Sequence, residues 1–472
     1  MTNRIQLYPI PEEIPKQDDY ILRIRLAGEK NWSPLEVYQV MVDMHDPRAA
    51  SMVYFDFEGI VELEITFPKF YTVYDVKLRP EILGYSKEVE EKRIVLTLDK
   101  PGNFSVEINK DKFHNLHVFA GAIEDVPDDE AEGILFDACS DEFNEEISAA
   151  PAGRLVYIRP GIHWIKSFIW SIPSNTRIYL APGAVLMGGL KIDHAENIEI
   201  FGRGAVYQGH LPLPYYTDGM IIHYAKNIDV SGLIFINPLH YTISFGNADN
   251  VSVRNVKTFS CYGWSDGFDM MSSRNISIEN CFLRTSDDCI AIYGSRWKNL
   301  GDSRNITVKN CVLWADVAHP INMGTHGNYD EEGDIIENIF FENLDILEHH
   351  EFQPGYLGAM ALNPGDKNTI RDVTFKNIRV DAFEHGAVFD IQVKYNPTYN
   401  PAPGRRIENI YFEDIRVTTG SGEEPSIIRG YDANHDVVGI HIKDYFRDGK
   451  KVTDLQSANI VVGEFATDIT IH

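Results

Sequence analysis

A short motif, Asn followed by Ile or Val at the start of a strand-like run, recurs along the C-terminal two thirds of the sequence. Consecutive copies lie between 23 and 39 residues apart, and a near-copy, IRDVTFKN, lies inside the longest interval. Repeats of this length indicate units that each pack on the next. The copies are at Asn197, Asn227, Asn250, Asn275, Asn305, Asn338, Asn377 and Asn409.

The period of this repeat excludes most repeat architectures. Propeller blades of four strands need about 40 or more residues each, and helical repeats would show apolar residues at helical spacing. Three short strands per unit fit the interval. We therefore predict a right-handed parallel β-helix, in which apolar residues fill the interior and asparagines stack at one corner from coil to coil.

The first 125 or so residues follow another pattern. Stretches such as VYFDFEGIVELEITF and RIVLTLDK alternate apolar and polar residues, which is typical of half-buried antiparallel strands. An acidic connector, DVPDDEAEGILFDACSDEFNEEI, separates the two regions. The chain is predicted to be all-β, with a β-sandwich over residues 1–130 and the β-helix over residues 150–472.

Length and charge limit the classes of function. A chain of 472 residues exceeds one compact core, in line with two domains. The formal net charge of −27 argues against nucleic acid or an anionic membrane surface as a partner. No apolar run reaches the about 20 residues that span a bilayer. The start of the sequence lacks a secretory signal pattern, so we expect a cytoplasmic location, with secretion after loss of a leader as the alternative.

The five cysteines show neither a CxxC pair nor a Cys/His metal spacing. We expect them to be reduced and buried as small apolar residues. The sequence contains no phosphate-cradling glycine loop, nucleotide fingerprint or metalloprotease motif. Neither a metal nor an organic cofactor is therefore expected.

Three carboxylates in WSDGFDMMSSRNISIENCFLRTSDDCIAIYG, residues 264–294, are the candidate catalytic groups: Asp266, Asp287 and Asp288. Neighbouring coils of a parallel stack lie about 4.8 Å apart, and 21 residues separate Asp266 from Asp287, close to one short coil. All three can face one cleft if a bend follows the strand. Otherwise, the adjacent pair is an ordinary solvated turn. Mutual repulsion would raise at least one pKa, as a general acid near neutral pH requires. Ionised partners that activate water would complete the equipment of a glycosidase.

These motifs resemble those of the polygalacturonase and rhamnogalacturonan-hydrolase family of β-helical glycosidases. WSDGFD resembles the family's N-T-D-G-h-D, and SDDCIAI is a close match to D-D-C-h-A-h. AHPINMGT resembles the G-H-G motif, with His319 as its histidine and with Ala318 and Pro320 in place of the glycines. The resemblance extends over about residues 150–470.

This resemblance implies roles for the three aspartates. Asp287 would be the general acid, Asp266 and Asp288 would hold and deprotonate the water, and the anomeric carbon would be inverted. The leading prediction is therefore a glycoside hydrolase that cleaves an oligo- or polysaccharide.

The family's fourth motif, R-I-K, which clamps the carboxylate of galacturonate, has no counterpart here. Its place, one coil after His319, falls in YLGAMALNPG, where Met360, Ala361 and Leu362 stand instead. Lys394 is a weak substitute, another coil further on. The loss of the basic pair predicts a neutral or other non-galacturonate sugar at the cleavage site.

The layout of a β-sandwich before the β-helix instead resembles the dextranases and isopullulanases. That family implies a comparable trio of aspartates acting on neutral α-glucans. The two resemblances leave the substrate open between them, together with endo or exo action and the oligomeric state.

Five further residues near the motifs are candidates for substrate contact. Exposed aromatic rings can stack on sugar faces, although each could equally be a packing residue. For Asp269, the alternative is a structural role, either in binding backbone groups of its turn or in tuning the pKa of Asp266. The candidates are His319, Trp264, Trp297, Asn322 and Asp269.

Two other classes of function fit the same scaffold. A polysaccharide lyase would use the aspartates to hold Ca²⁺ and would need a basic proton abstractor and a uronate substrate. A non-catalytic carbohydrate-binding β-helix would be indifferent to loss of the Asp287 carboxylate.

Overall fold

The computed structural model describes residues 3–69, 72–127, 133–136, 155–211 and 217–472. Regular structure in these ranges consists of short strands and one short 3-10 helix, Glu81–Leu83. No helix among them has the length and apolar character needed to cross a membrane. The strands are β1 (Arg4–Leu7), β2 (Ile21–Leu26), β3 (Ser33–Leu35), β4 (Tyr38–Val42), β5 (Arg48–Glu58), β6 (Val61–Thr66), β7 (Val76–Arg79), β8 (Ser86–Glu90), β9 (Arg93–Leu98), β10 (Gly102–Ile108), β11 (Leu116–Ala122), β12 (Gly133–Phe136), β13 (Leu155–Ile158), β14 (Gly161–Ser171), β15 (Arg177–Leu180), β16 (Ala184–Asp193), β17 (Glu196–Gly202), β18 (Ala205–Tyr207), β19 (Met220–His223), β20 (Lys226–Ser231), β21 (Ile234–Ile236), β22 (Ile243–Gly246), β23 (Asp249–Arg254), β24 (Lys257–Phe259), β25 (Phe268–Met271), β26 (Arg274–Glu279), β27 (Phe282–Thr285), β28 (Ile290–Tyr293), β29 (Ser303–Lys309), β30 (Val312–Ala315), β31 (Ile321–Met323), β32 (Ile335–Glu348), β33 (Gly358–Leu362), β34 (Thr369–Val380), β35 (Ala387–Gln392), β36 (Arg406–Val417), β37 (Ser426–Arg429), β38 (Val437–Arg447), β39 (Lys450–Val452), β40 (Ile460–Val462) and β41 (Ala466–Ile471).

The N-terminal strands form a β-sandwich of two sheets. One sheet has the order β1-β5-β11-β10-β7, with β4 also paired to β5, and the other has the order β3-β2-β6-β9-β8. Alternate residues of strands such as β9 point inward, and side chains from both sheets share one apolar core. The period-two patterning of the sequence therefore corresponds to one buried face per strand. Most of the acidic connector lies outside the described residues.

From β12 onward the strands form a single 30-stranded sheet in which strands pair in parallel with their counterparts one coil further on, apart from β39, which pairs antiparallel with β38. The series β22, β25, β28, β31, β33 and β35 is one such parallel column. Apolar residues stack in the interior, as the rings of Phe341, Phe375 and Phe412 do at 4.8 and 4.9 Å. The predicted right-handed parallel β-helix is confirmed.

The predicted asparagine ladder is present along one corner. These asparagines adopt positive φ, which Asn tolerates better than most residues. Asn227 donates to Asn197 Oδ1 at 2.9 Å, and Asn250 donates to Asn227 Oδ1 at 2.8 Å. Side-chain amides therefore link the coils in addition to the backbone ladder.

The prediction that Asn377 belongs to the same ladder as Asn338 and Asn409 was wrong. The structure places Asp372, from the near-copy IRDVTFKN, in register with Asn338, and Asn409 donates to Asp372 at 3.0 Å. Asn377 belongs to a second ladder, where it donates to Asn343 at 3.1 Å. In these coils two corners carry Asn or Asp, so the sequence motif alone does not distinguish them.

The four described cysteines, Cys261, Cys281, Cys289 and Cys311, are free and buried, as predicted. The backbone N–H of Cys281 contacts the sulfur of Cys311 at 3.4 Å, so these two stack in consecutive coils. Cys139 lies outside the described residues.

The sandwich covers one face of the β-helix. Apolar side chains from β4 and β5, such as Val40 and Met52, form one cluster with Ile234, Phe259 and Phe282 of the β-helix. This contact fixes the turn between β4 and β5 beside the coils that carry the acidic motifs. The sandwich is therefore placed where it can take part in a site.

Candidate active site

A bend between β27 and β28 carries Asp287 and Asp288, so both carboxylates can face the same cleft. Phe268 pairs with Ile290 across neighbouring coils, and Asp266 and Asp288 each lie two residues before these partners. One oxygen from each of Asp266, Asp287 and Asp288 lies within 4.8 Å of the other two. The three aspartates therefore lie together in the structure, as their spacing in the sequence predicts.

Gly267 allows the two coils to approach this closely. Its N–H donates to the carbonyl of Asp288 at 2.8 Å. A Cβ at this position would lie 2.2 Å from the carbonyl oxygen of Cys289. Only glycine fits here without a shift of the backbone.

Asp287 is half-buried and receives two backbone hydrogen bonds. The N–H of Trp264 donates to one carboxylate oxygen at 3.2 Å, and the N–H of Asp288 donates to the other at 3.0 Å. Burial, and next the charge of Asp288, raise the pKa of Asp287 to about 7. A carboxyl group with this pKa can carry a proton near neutral pH and release it during a reaction.

Asp288 is surrounded by hydrogen-bond donors. His319 donates to Oδ1 from its backbone N–H at 3.1 Å and contacts the same oxygen through Nδ1 at 2.7 Å, and Asn322 donates to Oδ2 at 2.7 Å. Burial acts to raise the pKa of Asp288, but the charge and hydrogen bonds of His319 outweigh it, so the pKa is lowered. Asp288 is therefore the ionised member of the pair.

The imidazole of His319 is charged for the same reason. Burial acts to lower its pKa, but the carboxylate of Asp288 raises the pKa of His319 to about 9. The second ring nitrogen, Nε2, lies 2.6 Å from the carbonyl oxygen of Tyr356. Both ring nitrogens are engaged by the protein, so the imidazole holds Asp288 and has no ring N–H left for the substrate contact predicted for His319.

Asp266 lies next to a fully buried carboxyl group, Asp269. Burial, followed by repulsion from Asp269, raises the pKa of Asp266 well above its ordinary value. Burial likewise raises the pKa of Asp269 more than the guanidinium of Arg296, 3.5 Å away, lowers it. With no exposed surface, Asp269 is out of reach of a substrate. Its position fits the alternative prediction, that it tunes Asp266.

Asp266, Asp287 and Asp288 line a cleft with a cavity volume of about 460 Å³, within the range of small-molecule sites. Trp264 lies in its wall with 60% of its surface exposed. Trp297, 61% exposed, stacks beside Tyr241 at 6.1 Å but is not among the described residues that line the cavity. Contact of either tryptophan with a sugar ring stays a prediction.

The degraded third motif retains the backbone geometry of a glycine. Ala318 has a φ of 64°, a conformation that costs an alanine roughly 1–2 kcal/mol. Its N–H donates to the carbonyl of His350 at 2.9 Å. The strained residue directly precedes His319, so it helps to set the direction of the imidazole.

The fourth motif, R-I-K, is absent one coil after His319, as the alignment of the coils in the sequence predicts. Ile321 pairs with Met360, Asn322 with Ala361 and Met323 with Leu362. The ammonium group of Lys394 donates to the carbonyl of Gly355 and lies 3.9 Å from Asp390. Lys394 does not belong to the lining of the cavity among the described residues.

Sequence reasoning missed several residues that line the cleft. Arg296 lies in the loop after β28, where its guanidinium contacts the rings of Tyr293 at 4.8 Å and Trp297 at 4.6 Å. Its position next to a conspicuous tryptophan was the only available signal. His45 and Phe352, from the sandwich and from the loop after β32, also line the cavity and carry no local motif.

Comparison with known proteins places the chain among similar sequences and folds. Exopolygalacturonase B of Aspergillus niger is 29% identical over 273 residues, which are 52% of this chain and 59% of that protein. Probable exopolygalacturonase B of Aspergillus terreus is 28% identical over 233 residues, 47% of this chain and 51% of that protein. The chain thus spans a little over half the length of these curated relatives.

The solved structure of Dex49A from Penicillium minioluteum covers 99% of this chain and 96% of its own, with a TM-score of 0.64 at 14% identity. This likeness includes the sandwich and the β-helix and concerns the fold alone. The sequence model of Glycosyl hydrolases family 28 matches residues 214–462, which contain all the motifs of the cleft. Since that match extends over more than half of the sequence, the chain belongs to glycosyl hydrolase family 28.

Proposed function

We propose that this protein hydrolyses a glycosidic bond of an oligo- or polysaccharide with inversion at the anomeric carbon. The observation that carries the proposal is that two neighbouring carboxyl groups, Asp287 and Asp288, have pKa values shifted in opposite directions. The pKa of Asp287 is raised to about 7 by burial and by Asp288, whereas the pKa of Asp288 is lowered against its burial by His319. An acid and a base side by side are the groups that glycoside hydrolysis requires.

In the proposed reaction, Asp287 gives its proton to the glycosidic oxygen as the bond to the anomeric carbon breaks. A water molecule attacks the anomeric carbon from the opposite face. Asp288 accepts the proton of that water, because its Oδ2 keeps a free lone pair beside the hydrogen bond from Asn322. Asp266, whose pKa is raised by burial and by Asp269, helps to orient the water.

For the sugar at the cleavage site, we propose a neutral or other non-galacturonate residue. The coil that would provide a basic clamp offers Met360, Ala361 and Leu362 instead. Asp288, the ionised carboxylate of the cleft, would repel a uronate. A substrate whose cleaved residue carries no charge fits this balance.

A galacturonate-containing substrate is the second candidate, favoured by one residue and by the relatives. Arg296 is a permanently charged group in the lining of the cleft. Two of the similar curated proteins carry the name exopolygalacturonase B. However, Arg296 is held by Asp269 at 3.5 Å and by the surrounding rings, so less of its charge is available to a ligand.

The test is a screen of the purified protein against neutral α-glucans, galactans, rhamnogalacturonan fragments and polygalacturonate, read as reducing ends released. The same assay monitors absorbance in the ultraviolet, because a lyase on this scaffold would leave an unsaturated product. We expect reducing ends without ultraviolet absorbance, and highest activity on a substrate other than polygalacturonate. Highest activity on polygalacturonate would favour the second candidate.

Asp287→Asn should lower turnover of the best substrate by at least about a hundredfold, because the general acid is lost. The matched control is Asp229→Asn, on the surface and paired with Arg254 at 2.8 Å. Both variants should retain the wild-type circular dichroism spectrum. Wild-type turnover by Asp287→Asn would dismiss the assignment of the acid.

A further inference from the structure

The turn between β4 and β5, residues 43–47 and hereafter the sandwich turn, reaches the cleft from outside the family match. Met44 and His45 of this turn line the same cavity as Asp266 and Asp287. No other part of the β-sandwich among the described residues contributes to that lining. The cleft is thus completed by a segment more than 200 residues away in sequence.

Hydrogen bonds fix the sandwich turn directly to the catalytic bend. The N–H of Met44 donates to Ser286 Oγ at 3.1 Å, and Ser286 immediately precedes Asp287. The same hydroxyl donates to the carbonyl of Ser260 at 3.0 Å, so one serine joins the turn to two neighbouring coils. The thiol of Cys261 donates to the carbonyl of Val42 at 3.3 Å.

The sandwich turn is also ordered internally. Asp43 has a φ of 57°, and its side chain accepts a hydrogen bond from the N–H of His45 at 3.0 Å. Such a local bond holds a short turn in one conformation. Binding a ligand against the turn therefore costs little conformational entropy.

A second segment lies beside the sandwich turn in the wall of the cavity. Phe352, in the loop after β32, is 57% exposed, and its ring lies 6.3 Å from the imidazole of His45. An exposed phenylalanine and an exposed imidazole next to each other form an amphipathic surface of the kind on which sugar rings stack. His45 and Phe352 line the same cavity as Trp264, so one oligosaccharide can contact all three side chains.

We propose that His45 of the sandwich turn and Phe352 bind a sugar residue that neighbours the one cleaved, so that the sandwich provides a specificity-determining part of the active site. The inference rests on the proposed function, because the occupant is a further residue of the same oligosaccharide. It assigns a role in substrate binding to the sandwich, which lies outside the matched region of the family.

The test compares His45→Ala, Phe352→Ala and the double variant with wild type on di- to hexasaccharides of the polymer that wild type cleaves best. We expect KM for the longer oligosaccharides to rise about tenfold in the double variant, with kcat lowered less than about threefold. The disaccharide should show a smaller change in KM, since it has fewer residues to reach this surface. Calorimetric binding of the hexasaccharide to Asp287→Asn, with and without the double substitution, measures the same contact without turnover.

Ile60→Ala is the matched control. Ile60 is an exposed turn residue of the same sandwich, at the far end of the 11-residue strand β5, roughly 35 Å from the sandwich turn. It should leave KM and binding unchanged at every substrate length, and all variants should keep the wild-type melting temperature. Unchanged KM and affinity in the double variant of an active enzyme would overturn this inference alone. Failure of wild type to cleave any glycan would overturn both it and the proposed function.

Discussion

Four carboxyl groups, Asp266, Asp269, Asp287 and Asp288, differ in proton affinity because their neighbours differ. Of the three that line the cleft, Asp288 alone has a cationic partner in direct contact among the described residues, the imidazole of His319 at 2.7 Å, whereas the buried Asp269 lies 3.5 Å from the guanidinium of Arg296. Asp287 has backbone N–H groups instead, and burial together with Asp288 raises its pKa to about 7. The division of labour between acid and base thus follows from contacts one residue apart in the chain.

His319→Gln should move the whole pH profile of activity toward alkaline pH. Burial and then His319 are the leading influences on the pKa of Asp288, and His319 also lowers the pKa of Asp287, so loss of the imidazolium raises both pKa values. The acid limb requires ionised Asp288 and moves up, and the alkaline limb requires protonated Asp287 and also moves up. Initial rates between pH 3 and pH 9 measure both limbs.

The control for this shift is His441→Gln, on β38 and distant from the cavity lining. Its pH profile should match that of wild type. Limbs of His319→Gln that stay in place, or that move toward acid pH, would contradict the assignment of Asp288 as the ionised base.

Arg284 shows at the scale of elements how the sandwich and the β-helix depend on each other. It lies on β27, and its fully buried guanidinium binds Asp316 at 2.8 and 2.9 Å. It also donates to Asn115 Oδ1 at 2.9 Å and to the carbonyl of Lys112, both in the sandwich. The interface therefore contains a charged network directly beneath the catalytic bend.

Arg284→Met should destabilise the protein by about 3–5 kcal/mol, because it leaves the carboxylate of Asp316 buried without its partner. The measurements are the melting temperature and the rate of limited proteolysis between sandwich and β-helix. Arg254→Met is the control, since Arg254 and Asp229 form an exposed pair at 2.8 Å, a type worth up to about 1 kcal/mol. Equal melting temperatures for the two variants would show that the buried network does not stabilise the interface.

The sequence of β27 and its bend illustrates what can be predicted locally and what cannot. The spacing between Asp266 and Asp287 predicts their meeting, because coil stacking converts a distance along the chain into one in space. No local sequence pattern indicates that Arg284, three residues before Asp287, is buried. Its burial depends on the sandwich, whose contacts with the β-helix have no sequence periodicity.

At the scale of the whole molecule, the repeat predicts the β-helix because every coil obeys the same constraints. An inward apolar residue and a corner Asn or Asp with positive φ recur in each unit. The placement of the sandwich turn on the cleft has no such signal, since Met44 and Ser286 lie 242 residues apart and make a single hydrogen bond. Arg296 was missed for a related reason, because its partners come from several coils.

The spacing of the carboxylates bears on whether the anomeric carbon is inverted or retained. Oxygens of Asp266, Asp287 and Asp288 approach within 4.8 Å, whereas paired carboxyl groups about 5–5.5 Å apart are typical of retaining enzymes. Inversion is nevertheless expected under the proposed function, in which Asp288, held by His319 and Asn322, takes a proton from water and does not itself attack the sugar.

Proton NMR of the anomeric signals during the first minutes of cleavage tests the assignment of acid and base most directly. The new reducing end should appear with the configuration opposite to that of the bond cleaved, and mutarotation should follow later. A first product that retains the configuration of the substrate would contradict the roles given to Asp287 and Asp288.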